Sequence, residues 1–231
     1  MMSARPHRRD STDLRASLDR DGLVWLRGAS PADEVARLLS VSDPGDRPGV
    51  RLSGTTPLAQ AVAGSAAARR IAEVWPGMRP VRIVSFDKSA SVDWGVPWHQ
   101  DRVIALRDRA EVAGYGTWSR KAEIWHCEPP ATILDAMLFV RLHLDPCGVA
   151  NGAMEVAPGS HALGPVSSGE AATRATEFPV QTPEAAAGDV LVLKMLTLHR
   201  SAPSGAEAPR RVLRIDFAPP GLLPGPLDWA V

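Results

Sequence analysis

The chain has 231 residues and no formal net charge, 26 Lys and Arg balancing 26 Asp and Glu; that length suits one domain, 1–231, with a sizeable core. Neutrality speaks against nucleic acid or a membrane surface as partner, because binding phosphate needs a local excess of Lys and Arg, and no apolar run reaches the roughly 20 residues of a membrane span. Two separated cysteines, Cys127 and Cys147, make neither a zinc ribbon nor a disulfide framework, which favours a soluble protein in a reducing cytoplasm.

Met1 to Asp10 is basic, with Arg5, Arg8 and Arg9, but has no apolar core behind it, so it reads as a frayed tail rather than a secretory signal. Ser11 is then the expected cap of a helix through Leu14 and Leu18 that stops at Asp21-Gly22, and Leu23 to Leu26 reads as a short strand. Ser30-Pro31 opens a second helix with Pro at its first position. Thr56-Pro57 opens another, expected to run to about Trp75 with Ile71, Val74 and Trp75 on one face. From Val81 the pattern changes to short apolar runs: Val81 to Phe86, Val103 to Leu106, Met137 to Leu144, Met154 to Val156, Val190 to Leu198 and Val212 to Phe217. Most neighbours lack a helix of crossover length between them, which predicts antiparallel sheets closed as a barrel or sandwich, the jelly roll leading.

The sharpest local feature is Trp98-His99-Gln100-Asp101. Residues i and i+2 of an extended segment point the same way, so His99 and Asp101 reach one metal ion while Trp98 turns away into the core. A second His closes the run from Gly188 to His199, which as one continuous strand puts Leu191, Leu193, Met195, Thr197 and His199 on one face. Two His and a carboxylate on one side of a metal suit a non-haem Fe(II) oxygenase, although zinc hydrolysis uses the same set. After His199 comes a loop by composition and then Arg210-Arg211-Val212-Leu213-Arg214; Arg210 shares a face with Val212, Arg214 and Asp216, and a guanidinium there suits a carboxylate.

The chain resembles the phytanoyl-CoA dioxygenase family of Fe(II)- and 2-oxoglutarate-dependent oxygenases from about Asp21 to Phe217. The likeness rests on Phe86-Asp87-Lys88, Val96-Pro97-Trp98-His99-Gln100-Asp101, Asn151-Gly152-Ala153-Met154 with Pro158-Gly159-Ser160-His161, and Gly188-Asp189-Val190 leading to Leu198-His199-Arg200-Ser201. It implies a mainly β protein with flanking helices, a cupin-like double-stranded β-helix. It also implies iron held by His99, Asp101 and His199, with Ser201 and Arg210 at the cosubstrate, since the family's cosubstrate Arg lies eleven residues past the distal His. Fe(II), 2-oxoglutarate and O2 then take part in hydroxylating an unactivated C–H bond of a small molecule, with release of succinate and CO2. Asp101 argues against halogenation, because related halogenases lack the carboxylate ligand.

One departure stands out: where better-known relatives carry an aromatic residue ten positions before Asn-Gly, this chain has Arg141, expected to hold 2-oxoglutarate or an anionic substrate. Lys88, Trp118, Trp125 and His126 are candidates for substrate contact, His161 for a turn, and His143 for a partner of Asp145 or solvent. The rival function is a non-catalytic metal-binding β-barrel module with a binding or regulatory role.

Overall fold

A computed structural model describes residues 10–42, 49–52, 54–88, 94–203 and 210–231. The expected tail up to residue 9, most of the loop before Arg210 and the Lys88 side chain lie outside the described residues. Twelve strands form three sheets among them: β1 (Leu23–Leu26), β2 (Gly49–Leu52), β3 (Arg79–Lys88), β4 (Val96–His99), β5 (Ile104–Leu106), β6 (Gly116–Lys121), β7 (Ile124–Glu128), β8 (Leu138–His143), β9 (Met154–Val156), β10 (Val190–Lys194), β11 (His199–Ser201) and β12 (Arg210–Ala218). The large sheet runs β1-β10-β8-β12-β3-β2, faced by β4-β11-β9, and β5-β7-β6 stands apart. Every pairing is antiparallel. This is the double-stranded β-helix that the family resemblance implied.

The period of two along the strands of the large sheet sorts its residues into two cores. Leu138, Val140, Leu142, Leu213, Ile215 and Phe217 pack against Leu14, Leu18, Leu38, Val62 and Ile71 of the helices α1 (Ser11–Asp21), α2 (Ala32–Val41), α3 (Pro57–Ala63) and α4 (Ala66–Val74). The alternate residues Phe139, Leu191 and Leu193 face inward with Ile104, Met154 and Trp229. Arg141, Arg210 and Arg214 share that inward parity, which the helices cannot cover.

Several boundaries differ from the sequence reading. Asp10, not Ser11, caps α1 by accepting from the Thr12 N–H at 3.5 Å. Pro31 is the cap residue of α2 rather than its first helical residue, and the Ser30 hydroxyl donates to Glu34 at 2.8 Å instead. The helix expected from Pro57 to Trp75 is two helices, because Ser65 accepts from the Ala68 N–H at 3.0 Å and restarts the chain as α4. The expected strand from Val190 to Leu198 ends at Lys194. A turn closed by the Thr197 N–H on the Lys194 carbonyl at 3.1 Å carries the chain into the opposite sheet, where His199 opens β11. Arg200 and Ser201, expected in a loop, belong to that strand.

Candidate active site

His99 ends β4 and His199 begins β11, and the two face each other across one antiparallel pair. Each ring is turned by its own backbone: Nδ1 of His99 meets the Pro97 carbonyl at 2.8 Å, and Nδ1 of His199 the Thr197 carbonyl at 2.8 Å. A carbonyl only accepts, so Nδ1 carries the proton and Nε2 keeps a free lone pair for a metal. Burial, then the neighbouring His199, pushes the His99 pKa down to about 4, so its imidazole is neutral near pH 7.

Gln100 explains why one residue must separate His99 from Asp101. Its amide points the other way, donates to the carbonyls of Gly164 at 2.9 Å and Leu196 at 2.8 Å, and accepts from the Val166 N–H at 2.7 Å. That clamp, with the Asp101 N–H on the Met195 carbonyl at 3.2 Å, fixes the Asp101 backbone. Trp98 packs outward beside Leu198 and Phe178, as parity required. Ligand atoms of His99, Asp101 and His199 lie within 4.8 Å of one another. Oδ2 of Asp101 is buried without a hydrogen bond, 3.3 Å from Nε2 of His199. That is near the ~3 Å between adjacent ligand atoms each ~2.1 Å from one ion. These residues fit a metal.

Above this cluster opens a cavity of about 650 Å³, the open solvent at its mouth included. Phe86, Trp94, Phe139, Met154 and Ser201 line it, and Arg141, Arg200, Arg210 and Arg214 bring in positive charge. Two of these charges are matched: Arg200 forks onto Glu155 at 2.9 and 2.8 Å, and Arg214 pairs with Asp101 and Asp216. Arg210 reaches the Cys147 thiol at 3.7 Å, while its Nε and that of Arg141 are buried without a partner. Among the described residues no carboxylate pairs with either. Burial, then the Arg210 guanidinium, depresses the Arg141 pKa. Arg211, on the other parity, is bound to Asp145 at 2.8 Å through both guanidinium and backbone.

Trp118, Trp125 and His126 are not among the residues lining the cavity. They lie on the separate β5-β7-β6 sheet, where the two indoles meet edge to face at 6.3 Å between centroids and back the inner core. Lys88 stands opposite Arg210 in backbone register. His143 does not pair with Asp145, which Arg211 occupies; it is buried with neither ring nitrogen bonded and stacks tilted on Trp25 at 5.8 Å. His161 sits in the short turn Ser160–Leu163, and its side chain ties that turn to α1 instead, Nε2 meeting the Asp19 carbonyl at 3.1 Å. The family's eleven-residue spacing named Arg210 and gave Arg214 no role. Its parity with Arg210 was the signal that it too enters the cavity.

Two imidazoles and one carboxylate leave part of a metal's coordination sphere free, as in the non-haem iron oxygenases and unlike closed structural metal sites. Solved structures share the architecture. AviO1 from Streptomyces viridochromogenes Tue57 gives a TM-score of 0.64 at 22% identity, over 94% of this chain and 98% of its own. The epimerase SnoN, solved with Fe3+, alpha ketoglutarate and nogalamycin RO, gives 0.63 at 19% over 96% and 93%. HygX from Streptomyces hygroscopicus, solved with nickel and 2-oxoglutarate, gives 0.60 at 17% over 90% and 87%. At these identities the likeness is one of fold. No curated protein matches the sequence. The phytanoyl-CoA dioxygenase (PhyH) family model matches residues 53–212, and the chain belongs to that family. No helix among the described residues is long and apolar enough to cross a membrane.

Proposed function

We propose that this enzyme is an Fe(II)- and 2-oxoglutarate-dependent dioxygenase that hydroxylates an unactivated C–H bond of a small molecule, releasing succinate and CO2. The observation that carries the reading is the juxtaposition in one cavity of a metal-ready His99, Asp101 and His199 with two guanidiniums, Arg141 and Arg210, that no described carboxylate neutralises. A dicarboxylate cosubstrate supplies what both ends lack. SnoN and HygX, solved with such a cosubstrate and a metal, support it.

Bound iron supplies the redox chemistry that couples O2 to decarboxylation of 2-oxoglutarate. The chain's own residues do the rest. His99 and His199 present Nε2, Asp101 presents Oδ2, Arg210 and Arg141 hold the far carboxylate, and Ser201 lies along the same wall. Phe86, Trp94, Phe139 and Met154 keep water from the reacting face. The 1–231 chain acts as one catalytic domain on a free small molecule. The test is anaerobic loading with Fe(II), followed by succinate formation on admitting O2, with and without candidate substrates. O2-dependent succinate from the wild type, abolished in His99→Ala together with metal binding, is expected; absence of both Fe(II) binding and succinate formation in the wild type overturns the reading.

A further inference from the structure

We infer that Arg214 is a positioning residue for the metal site: it occupies the outer oxygen of Asp101 and so confines this carboxylate to a single-oxygen bond with the metal. The inference rests on the iron site proposed above.

The two Asp101 oxygens have different surroundings. Oδ1 accepts a hydrogen bond from Nη1 of Arg214, while Oδ2 has no hydrogen bond and faces Nε2 of His199. Arg214 is not free to withdraw. Its Nε and Nη2 fork onto Asp216 at 2.9 and 3.1 Å, so the guanidinium spends its second edge on one carboxylate and its remaining end on Asp101. Asp216 is fully buried and also takes Nη1 of Arg82 at 3.3 Å. The face of the guanidinium lies 4.5 Å from the Phe139 ring centroid, and that ring sits 5.3 Å from His199. Hydrogen bonds at both ends and an aromatic face thus over-determine one guanidinium position.

A carboxylate free at both oxygens can chelate a metal through two coordination positions; one held at its outer oxygen uses a single position. Two imidazoles and one such oxygen leave space beside the metal for a chelating cosubstrate and for O2. β12 therefore serves the site twice from one face: Arg210 reaches the cosubstrate end of the cavity and Arg214, four residues on, fixes the metal end.

The experiment is anaerobic titration of the full chain with Co(II), read by affinity and by the visible absorption of the bound ion, which reports coordination number. Arg214→Met is expected to lower Co(II) affinity about 10- to 100-fold and to alter the absorption as Asp101 takes up a second bond. Arg214→Lys, which keeps the charge but loses the fork, is expected to recover part of the affinity without restoring the spectrum. A folded Arg214→Met protein with wild-type affinity and spectrum overturns the inference. Should Arg214→Met fail to fold, Arg214→Lys decides: wild-type affinity and spectrum there overturn it as well. Failure of the wild type to bind Co(II) or Fe(II) at all refutes the iron reading itself and is distinguishable from either result.

Discussion

Arg141 and Arg210 bring two cations into a walled cavity where neither has a described counter-charge, a costly arrangement unless an anion fills it. Arg210→Ala is expected to weaken 2-oxoglutarate binding by about 2 kcal/mol or more, roughly 30-fold, because a charge-assisted fork is lost in a desolvated place. Arg141→Ala is expected to weaken it by roughly 5- to 10-fold, about 1 kcal/mol. Calorimetric titration with the metal in place measures both. If Arg141→Ala leaves the 2-oxoglutarate affinity alone but raises KM for the substrate that is hydroxylated, the guanidinium serves that substrate; unchanged values for both ligands sink its role. His143 feels both arginines and has no hydrogen bond, and burial first, Arg141 second, push its pKa down to about 3. The unfolded chain binds this proton below about pH 6.5 and the native chain does not. The stability that neutral His143 permits is therefore complete above about pH 6.5 and drains away as pH falls toward 3, by at most about 1.4 kcal/mol per pH unit. Urea unfolding at about pH 7 and pH 5 is expected to show a smaller acid loss for His143→Gln than for the wild type; equal losses count against a buried neutral imidazole.

At the scale of elements, the strands were legible because parity is a local property. Leu138, Val140 and Leu142 against Phe139, Arg141 and His143 could be divided into two faces from the sequence, and the sheet divides them that way. The two cores follow from the same rule. What parity could not supply was the point at which the chain changes sheet. Val190 to Leu198 is apolar almost throughout, so nothing in its pattern marks Lys194 as a strand end. The break comes from tertiary contacts: the Lys194 N–H meets the Gly22 carbonyl at 2.9 Å, and the Thr197 hydroxyl donates to the same carbonyl at 2.9 Å. His199 is then set by its new neighbours, the Leu198 N–H being held by the Ser160 hydroxyl at 2.8 Å. The family motif Pro158 to His161 thus acts on the ligand one residue away in that bond. Gly188-Asp189 is likewise a structural device. Asp189 accepts from the backbone of Gly28 at 2.8 Å and Ala186 at 3.0 Å and pairs with Arg27 at 2.7 Å. Gly188 has φ +87°, and a Cβ there meets the Ser30 carbonyl oxygen at 2.2 Å. Gly188→Ala is expected to cost about 2–4 kcal/mol, from strain and a backbone clash that no side-chain movement relieves. Chemical denaturation measures it, and a loss below about 1 kcal/mol shows that the turn relaxes.

At the scale of the molecule, the inner core continues past the last strand of the β-helix. Trp229 is 4% exposed and packs with Ile104, Leu106, Cys127 and Phe139, the last of which also touches the ring of His199. Its backbone bridges to Leu106, flanked by the Arg107 N–H on the Asp228 carbonyl at 2.9 Å and the Ala230 N–H on the Ala105 carbonyl at 3.2 Å. The chain has seven Trp, but composition does not say where they go, and an isolated Trp after a Pro-rich stretch has no periodicity to place it. The segment is a fourth strip laid along β5, and it links the separate β5-β7-β6 sheet to the wall behind the metal cluster. Trp229→Ala is expected to cost about 3 kcal/mol by removing a large buried side chain from a packed site, which for a chain of this size lowers Tm by roughly 6–12 °C. Val149→Ala, at a position 69% exposed, serves as the neutral control. A Trp229→Ala protein melting within about 2 °C of the wild type means that the carboxy-terminal strip lies on the molecule without supporting it, and the support behind Phe139 must then come from β5 and β7 alone.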